Sequence, residues 1–417
     1  MNSFREYFVY RNGKLYCEDV SLEQIADEYG TPVYVYSSKC FIDKFTQLDN
    51  ALSKHPHLIC YSVKSNSNIN ILRMMHSAGC GMDVVSGGEI FRAIAAGVEP
   101  EKIVYAGVGK TSSEIELALS TGIRMFNCES LPEIERINTI AQNMNKIARI
   151  AIRINPDVEA HTHHYITTGK KENKFGVSMH LLPDIVNALK NMTHVMLIGL
   201  HVHIGSQITD VEPFEEACSK ALEVMNALNI KGIGECTTLN LGGGFGIQYN
   251  DEDSLDIATW AKSIDKTIED KNIFLIIEPG RYISGSSGAL ITRVQYKKKA
   301  NTKTFIIVDS GMHHLIRPTL YQAYQHIANV TLRDGKEVVD VVGPICESGD
   351  FFAKDREITY TKQGDLVAVL SAGAYGMAMA SRYNSHPLPA EVLVEGDRHR
   401  LIRSRETYED LIARERV

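Results

Sequence analysis

The chain has 417 residues, of which 44% are hydrophobic and 23% are charged, and its formal net charge is -7. This length is typical of one large and one smaller domain, and the composition excludes an intrinsically disordered chain. Because the net charge is negative and no Lys/Arg block reverses it locally, nucleic acid and anionic membranes are excluded as general partners. Apolar runs fall short of the roughly 20 residues that span a membrane, so we expect a soluble, cytoplasmic protein that acts on a small molecule.

The eight cysteines are scattered along the chain and form no CxxC pair. This distribution suits a reducing compartment rather than a disulfide framework. We expect most of them to be small buried hydrophobic residues. Cys346 is the exception, for the reason given below.

Two short apolar runs near the start predict a β-hairpin. Phe8–Tyr10 and Leu15–Cys17 flank the pair Asn12-Gly13. These two turn residues accommodate the positive φ angles of a tight hairpin, so the runs are expected to pair.

The next segment has the signals of a helix. Ser21, with Gln24 three residues further on, has the form of a capping box. Gly30, just before Pro32, is typical of a helix end. We therefore expect a helix between these positions.

From about Val33 to Arg281, short β-branched runs alternate with longer amphipathic stretches, which is the pattern of repeated βα units. Eight runs can be counted: Leu58–Val63, Met82–Val85, Ile103–Ala106, Met125–Cys128, Ile150–Ile154, Met196–Val202, Thr238–Leu241 and Phe274–Ile277. Eight strands close a barrel, so residues 33–281 are predicted to form a (β/α)8 TIM-like barrel of the α/β class.

The ends of these runs carry polar and charged residues instead of the Val, Ile and Leu that core packing requires. They are Lys64, Asp83, Arg153, His203, Gly242–Gly244 and Glu278. Because barrel enzymes place their functional groups where strands end and loops begin, we expect an active site at this end of the barrel.

After Arg281 the strand-like runs continue without regular helices between them. They are Thr304–Val308, Val338–Val342, Leu366–Leu370 and Val392–Val394. This pattern predicts a C-terminal β domain over 282–417 that also includes the N-terminal segment, 1–32. A last helix is expected around Thr407–Glu415.

Lys64 follows directly on the apolar run of the first barrel strand, in Tyr61-Ser62-Val63-Lys64. A lysine in a barrel mouth is partly desolvated, which favours the neutral amine that Schiff-base chemistry needs. Taken alone, the motif also fits a solvated loop lysine.

Leu241-Gly242-Gly243-Gly244-Phe245-Gly246 follows the seventh run, where bare backbone amides can approach an anion such as a phosphate. The spacing differs from the GxGxxG of dinucleotide folds, because Ile247 stands in the place of the last glycine. The segment predicts a phosphate site, although by itself it is a weak signal.

Glu278-Pro279-Gly280-Arg281 places a carboxylate at the end of the eighth run. A carboxylate that faces a pyridine nitrogen keeps it protonated, so that the ring can accept an electron pair. The alternative is a Glu–Arg pair with a structural role. His201 and His203 end the sixth run, and either imidazole can serve as a ligand, a stacking platform or a structural residue.

Five motifs in this order carry a family resemblance: Tyr61–Asn66, His203–Ser206, Gly242–Gly244, Glu278–Arg281 and Gly343–Asp350. The chain resembles the fold-type III pyridoxal-phosphate decarboxylases, with their alanine racemase-like barrel, from about Val33 to Pro387. The ordered set is much more specific than any one of its motifs.

The resemblance implies pyridoxal 5'-phosphate as the cofactor and Lys64 as the residue that forms a Schiff base with it. His203 would stack on the ring and Glu278 would face its nitrogen. The residues implied to bind the cofactor are Lys64, Asp83, Arg153, His203, Ser206, Gly243, Gly244, Glu278, Gly280, Arg281 and Tyr375. Tyr375 is the one member that the resemblance alone supplies.

Within this family, Arg317–Tyr321 and Cys346-Glu347-Ser348 resemble the branch that decarboxylates meso-diaminopimelate to L-lysine, the last step of lysine biosynthesis. Ornithine-type members carry Asp in place of Glu347 and lack the arginine. A guanidinium can clamp the distal carboxylate of this substrate, and a carboxylate can accept from its distal ammonium. The implied substrate-binding residues are Arg281, Arg317, Tyr321, Glu347, Ser348 and Tyr375. Lys174-Phe175-Gly176 after Thr167-Thr168-Gly169 also resembles this branch.

The resemblance further implies a homodimer with shared active sites, in which Cys346 of one subunit is the proton donor in the site of its neighbour. Lys64 and Cys346 are then the catalytic residues. The alternative substrates are carboxynorspermidine, ornithine or arginine, which would use the same cofactor residues.

Two other classes of protein explain less of the sequence. A metal-dependent hydrolase would use His201 and His203, but the later runs end in glycines and Glu278 instead of further ligands. His161, His163 and His164 are expected to be a solvated loop, so no metal is predicted. A non-enzymatic cofactor carrier would end near the barrel, without the β domain.

Overall fold

A computed structural model describes residues 6–158, 174–230, 236–268 and 272–416. The chain divides into two compact units. We call residues 44–246 and 254–282 the barrel unit, and residues 1–43, 247–253 and 283–417 the sheet unit. Within the described ranges, no helix combines the length and the apolar character needed to cross a membrane.

The strands of the described residues are β1 (Phe8–Arg11), β2 (Lys14–Cys17), β3 (Val20–Ser21), β4 (Val33–Ser37), β5 (His57–Ser62), β6 (Gly81–Val84), β7 (Ile103–Tyr105), β8 (Met125–Cys128), β9 (Ala148–Asn155), β10 (Val177–Ser178), β11 (Val195–His201), β12 (Thr238–Asn240), β13 (Phe274–Ile277), β14 (Gly288–Lys299), β15 (Thr304–Val308), β16 (Ile327–Asn329), β17 (Lys336–Val342), β18 (Phe351–Thr359), β19 (Leu366–Val369), β20 (Ala390–Glu395) and β21 (Arg398–Arg403). The helices of the same residues are α1 (Leu22–Tyr29), α2 (Ser38–Ala51), α3 (Ile69–Ser77), α4 (Gly87–Ala95), α5 (Ser112–Thr121), α6 (Leu131–Asn143), α7 (Leu182–Leu189), α8 (Glu212–Ile230), α9 (Ile257–Thr267), α10 (Arg281–Ser284), α11 (Arg317–Tyr321) and α12 (Tyr408–Ile412).

The barrel unit contains the eight strands that the sequence predicts. They pair in parallel in the order β9-β11-β12-β13-β5-β6-β7-β8, and the pairing of β8 with β9 closes the ring. The short β10 pairs in parallel with the last two residues of β9, Ile154 and Asn155. The predicted (β/α)8 barrel is therefore confirmed, and the carboxyl ends of all eight strands meet at one rim.

Two helices of the barrel, α4 and α5, begin at side chains that cap their free backbone N–H groups. Ser86 accepts from the N–H of Glu89 at the start of α4, and Thr111 forms a reciprocal capping box with Glu114 at the start of α5. Gly122 ends α5 in the left-handed region, with φ 81°, where a side chain would be strained. These local signals fix where α4 and α5 begin and where α5 ends.

The sheet unit is built on the path β18-β17-β15-β14-β4-β20-β21, and β19 pairs with both β14 and β16. Val33–Ser37 belongs to this sheet, where it pairs with β14 and β20, and not to the barrel. The four strands predicted after Arg281 are present as β15, β17, β19 and β20. Four further strands of this region, β14, β16, β18 and β21, were not predicted from the sequence.

The predicted N-terminal hairpin is also present, since β1 pairs with β2 in antiparallel register around Asn12 and Gly13, both at positive φ. It packs into the core of the sheet unit, where Phe8 and Leu15 share one buried cluster with residues of β14, β19 and β20. The helix after it begins and ends as expected. The capping box is wrong, however, because the Ser21 side chain makes no capping hydrogen bond.

Candidate active site

The rim of the barrel holds Lys64 against a buried carboxylate. Lys64 lies in a short turn, Val63–Ser65, directly after β5. Its amine is 3.0 Å from Oδ2 of Asp83 on β6, and the Ser62 hydroxyl donates to the same oxygen at 2.7 Å. Burial and the nearby Glu278 raise the pKa of Asp83, while Lys64 opposes that shift. The Asp83 side chain is fully buried, whereas that of Lys64 is 39% exposed, so the ion pair joins a buried carboxylate to an amine that solvent can reach.

Glu278, which follows β13, is held by three neighbours. Asn127 and Asn240 donate to its Oε1 at 2.8 and 2.6 Å, and Nε2 of His201 lies 3.3 Å from Oε2. Burial alone would raise the pKa of Glu278, but His201, Lys64 and Asn240 outweigh it and hold the pKa well below its usual range. The carboxylate is therefore ionised although its side chain is only 4% exposed.

His203 is a neutral imidazole beside these charges. Burial, followed by the charges of Arg153 and Lys64, lowers the pKa of His203 well below its usual range. Its Nδ1 accepts from the backbone N–H of Gly243 at 3.1 Å, which leaves the ring proton on Nε2. A neutral, oriented ring can serve as a flat packing surface.

The glycines after β12 allow the backbone to pass through a space that side chains could not enter. A Cβ added at Gly243 would lie 2.2 Å from the carbonyl oxygen of Glu278, and one at Gly244 would lie 2.5 Å from that of Gly205. Gly244 also has a φ of 103°, a conformation that favours glycine. Next to them, Arg281 donates to the Ser206 hydroxyl at 3.1 Å, which brings a guanidinium to the same rim.

Arg153 on β9 is fixed by a buried ion pair. Its Nη1 donates to Oε1 of Glu129 at 2.7 Å, and the guanidinium lies 4.9 Å from the ring centre of Phe175. The other oxygen of Glu129 accepts from the backbone N–H of Gly176 at 2.7 Å. Phe175 and Gly176 therefore help to hold Arg153 and Glu129 in place.

In the sheet unit, Arg317 begins α11 and is 5% exposed. Its guanidinium stacks on the ring of Tyr249, 4.5 Å from the ring centre. The Gln325 amide is oriented so that its nitrogen donates to the carbonyl oxygen of Leu370 and its oxygen accepts from Nη1 of Arg317 at 2.6 Å. Tyr321, at the end of the same helix, is half-buried. The arginine is thus held in a fixed orientation.

Cys346, Glu347 and Ser348 lie on an exposed loop that a buried carboxylate organises. Asp350 accepts from the backbone N–H groups of Met312 and Ile345 at 2.6 and 2.7 Å. All eight cysteines are free thiols, and Cys346 is the exposed one among them.

Two glycines and one tyrosine complete the candidate site residues of the sheet unit. Gly311 and Gly343 leave room for Asp350, since a Cβ on either would lie about 2.5 Å from one of its oxygens. Tyr375 is half-buried and has a φ of 56°, in the left-handed region. Gly311 and Gly343 therefore occupy positions with no room for a side chain. Tyr375 has a backbone conformation that is uncommon for a residue other than glycine.

The comparisons with known proteins agree with this geometry. Residues 38–285 match the family model described as pyridoxal-dependent decarboxylase, pyridoxal binding domain. The diaminopimelate decarboxylases of Neisseria meningitidis serogroup A and Aquifex aeolicus are 45% and 46% identical to the chain; the alignments cover 96% and 99% of this chain and 98% of each relative. The chain belongs to the diaminopimelate decarboxylase family. A solved Helicobacter pylori diaminopimelate decarboxylase, complexed with L-lysine, superposes with a TM-score of 0.91 at 41% identity, covering 94% of this chain and 98% of that one.

A member of the diaminopimelate decarboxylase family uses pyridoxal phosphate, and the barrel rim has the chemistry to hold it. An amine, an ionised carboxylate and a neutral imidazole are available from Lys64, Glu278 and His203. Among the described residues, Oδ1 of Asp83 is buried without a hydrogen-bond partner. Such an orphan atom and the glycine-lined backbone fit a polar, phosphate-bearing group.

Five residues that hold the candidate site residues or their loops were not predicted from the sequence: Ser62, Asn127, Glu129, Asn240 and Asp350. Asn127 and Asn240 lie at or next to the carboxyl ends of barrel strands, so the rule that located Glu278 could also have found them. Across the described part of the chain, no group of three or more His, Cys, Asp or Glu side chains is placed to hold a metal ion. His161, His163, His164 and Thr167-Thr168-Gly169 lie outside the described residues.

Proposed function

We propose that this protein decarboxylates meso-diaminopimelate to L-lysine and CO2. The observation that carries the proposal is the match, over nearly the full length, to relatives of that name, one of which is solved with L-lysine bound. L-lysine is what remains when one carboxyl group of diaminopimelate leaves as CO2. The two guanidinium groups of Arg281 and Arg317 suit a substrate that carries a second carboxylate.

Bound pyridoxal phosphate supplies an aldehyde that condenses with amines and a ring that accepts the electron pair left by departing CO2. Lys64 is the protein amine for this chemistry, and it must be neutral to react. Asp83, with its raised pKa, is placed to take the proton of the Lys64 ammonium. Asp83 can therefore accept one proton from Lys64 and return it later in turnover.

Glu278 would hold a proton on the ring nitrogen, because an ionised carboxylate beside that atom favours the protonated ring. Asn127 and Asn240 keep the carboxylate in place for this task. His203, as a neutral imidazole, would supply a flat surface for the ring of the cofactor. The phosphate would be held by the Ser206 hydroxyl and by amides of the glycine segment, Gly243 and Gly244, together with Gly280 and Tyr375.

The sheet unit supplies the substrate contacts of the proposal. Arg317 binds the distal carboxylate with two parallel hydrogen bonds, and Glu347 accepts from the distal ammonium. Tyr321 and Ser348 are the further substrate-binding residues of the proposal. Cys346 delivers the proton to the carbon that has lost CO2, which agrees with its exposed thiol.

The proposal includes a homodimer in which Cys346 and Glu347 of one subunit complete the site of the other. Two-fold symmetry then generates two equivalent composite sites. A cytoplasmic location also belongs to the proposal, and the free thiols of all eight cysteines agree with a reducing compartment.

The test is CO2 release from purified protein plus pyridoxal phosphate, with meso-diaminopimelate, L-ornithine, L-arginine, L-lysine and carboxynorspermidine assayed in parallel. Diaminopimelate is expected to give the highest kcat/KM, with L-lysine as product. A higher kcat/KM for any of the other four would contradict the proposed substrate while leaving the cofactor chemistry intact.

A further inference from the structure

Two neighbouring side chains, Tyr383 and Asn384, reach the loop that carries Cys346 and Glu347. The Tyr383 hydroxyl donates to Oε1 of Glu347, and Nδ2 of Asn384 donates to Sγ of Cys346 at 3.2 Å. The sequence analysis gave neither residue a role. All four residues belong to the sheet unit, so these contacts are internal to it.

The segment that carries these side chains is fixed at its N-terminal end by a paired charge. Arg382 donates to both carboxylate oxygens of Glu406, at 3.0 and 2.7 Å. The backbone N–H of Leu388 donates to the same carboxylate at 3.1 Å. The Glu406 carboxylate therefore links Arg382 to Leu388, which lie on either side of Tyr383 and Asn384 in the sequence.

The other end is fixed by imidazole rings that pack against each other at tilted angles. The ring of His386 lies 4.6 Å from that of His313, which in turn lies 3.7 Å from that of His314. His314 is tied to the segment as well, since its Nε2 lies 3.1 Å from the carbonyl oxygen of Pro387. His313 and His314 are almost fully buried, so the segment ends on a packed surface.

The backbone between these two anchors is left-handed. Asn384 has φ 54° and ψ 27°, and Ser385 has φ 58°. Consecutive non-glycine residues rarely adopt this conformation, and it persists only where the surroundings determine it. In this conformation Nδ2 of Asn384 lies 3.2 Å from the Cys346 sulfur.

We propose that Tyr383 and Asn384 are positioning residues of the decarboxylation, with Asn384 orienting the Cys346 thiol and Tyr383 orienting the Glu347 carboxylate. This inference rests on the proposed function, in which Cys346 is the proton donor and Glu347 binds the distal ammonium. It assigns a separate effect to each side chain, because one serves the proton transfer and the other serves substrate binding.

The role of Asn384 follows from the negative charge that the Cys346 sulfur gains during the proton transfer. The S–H bond of Cys346 breaks, a C–H bond forms on the carbon that has lost CO2, and the sulfur keeps the electron pair as a thiolate. A hydrogen bond to an anion is stronger than one to a neutral group, so the Asn384 N–H stabilises the sulfur most after it has given up its proton. Solvent then returns a proton to the exposed sulfur.

The role of Tyr383 is to hold one oxygen of Glu347 so that the other faces the substrate. The hydrogen bond to Glu347 raises the pKa of Tyr383, so the hydroxyl stays a donor at neutral pH. Without that donor, the exposed Glu347 side chain would sample several rotamers, and binding of the ammonium would have to select one of them. The expected consequence is weaker substrate binding with little change in the later steps.

The test compares four variants of the holoenzyme. Asn384→Gly removes the amide and keeps the left-handed backbone, and Asn12→Gly makes the same change at φ 50° in the N-terminal hairpin turn. Tyr383→Phe removes one hydroxyl, and Tyr408→Phe does so at a ring that is 75% exposed. Each is measured for kcat and KM with diaminopimelate and for the rate at which iodoacetamide alkylates Cys346, the exposed one of the eight thiols.

Asn384→Gly is expected to lower kcat on the order of tenfold, the scale of one lost hydrogen bond to a charged group, with KM within twofold of wild type. It is also expected to slow alkylation of Cys346 several-fold, because the thiolate is the nucleophile and loses its donor. Tyr383→Phe is expected to raise KM on the order of tenfold without changing the alkylation rate. Asn12→Gly and Tyr408→Phe should match wild type in every readout.

Two results would overturn the inference, and both differ from failure of the proposed function. If Cys346→Ala abolishes turnover while Asn384→Gly keeps wild-type kcat and alkylation rate, the positioning role is wrong and the function stands. If Tyr383→Phe lowers kcat and leaves KM unchanged, its assignment to substrate binding is wrong. A wild-type enzyme that releases no CO2 from diaminopimelate would instead refute the function, and the alkylation rates would still decide whether Asn384 acts on Cys346.

Discussion

The amine of Lys64 lies 3.0 Å from Oδ2 of Asp83, a carboxylate with no exposure to solvent. The Ser62 hydroxyl donates to the same oxygen, so the carboxylate cannot turn away from the lysine without losing a second hydrogen bond. A buried charge without its partner is costly, and the pair is therefore expected to stay together in the protein. This contact fixes the position of the amine before any cofactor binds.

Lys64→Ala is expected to abolish turnover and the visible absorbance of bound pyridoxal phosphate, because the proposal assigns no other amine to the cofactor. Steady-state CO2 release and the absorption spectrum of the purified protein would measure both effects. Lys54→Ala removes a lysine whose side chain is 73% exposed and serves as the control. An active Lys64→Ala protein with its visible band intact would show that the lysine is misassigned.

Glu278→Gln is expected to keep the cofactor bound and to slow CO2 release by about 100-fold or more, the scale of losing a preorganised electrostatic group. The amide has nearly the shape of the carboxylate but cannot hold a proton on the ring nitrogen. Single-turnover CO2 release separates this step from product release. A single-turnover rate within threefold of wild type would contradict the role given to Glu278.

Arg317→Ala is expected to raise the KM for diaminopimelate, since a two-pronged contact to a carboxylate contributes roughly 1.5 to 3 kcal/mol, or about 10- to 150-fold. Steady-state kinetics with diaminopimelate measures the change. Arg398→Ala, which removes a side chain that is 90% exposed, should leave KM unaltered. If both variants behave alike, Arg317 does not contact the substrate.

The sequence predicted the barrel well because its strands are buried on both faces. Such strands form continuous apolar runs, and the polar residue that ends each run marks the rim, as Lys64 and Glu278 do. Strands of the sheet unit were harder to recognise. Phe351–Thr359 exposes several charged residues, and Gly288–Lys299 begins at a glycine and ends in three lysines, so neither has a clear strand pattern.

The charged members of the candidate site were predictable, whereas the groups that hold them were not. Asn127 and Asn240 meet Glu278 from strands that are 151 and 38 residues away in sequence. The contact of Arg153 with Glu129 likewise depends on the pairing of β8 with β9. Contacts between residues so distant in sequence follow from the closed barrel and its strand register. The spacing of residues along the chain does not reveal that register.

A shared active site predicts complementation between inactive subunits. Mixing Lys64→Ala with Cys346→Ala protein, under conditions of subunit exchange, is expected to restore part of the activity, because each heterodimer contains one site with neither lesion. Lys64→Ala mixed with Glu278→Ala is the control, since both lesions then lie in barrels and no site is intact. Demonstrated exchange with no recovery in the first mixture would refute the shared site.

The buried imidazoles of His313 and His314 predict that the sheet unit loses stability in mild acid. Burial, with the adjacent imidazoles adding to it, lowers the pKa of His313 to about 2, and burial lowers that of His314 to about 4. Both groups titrate near 6.5 in an unfolded chain. As pH falls below about 6.5, the unfolded chain therefore binds protons that the folded protein does not, and each group costs up to about 1.4 kcal/mol of stability per pH unit until its folded pKa is reached.

His313→Phe keeps an aromatic ring against His314 and removes one ionisable group, so its thermal midpoint should fall less steeply than that of wild type between pH 7 and pH 5. The measurement is thermal unfolding followed by circular dichroism at half-unit pH intervals, with cofactor saturating throughout so that ligand stabilisation stays constant. His180→Phe, at an exposed histidine, should keep the wild-type slope. Equal slopes for His313→Phe and wild type would mean that His313 is protonated to the same extent in the folded and unfolded states, contrary to its burial beside His314.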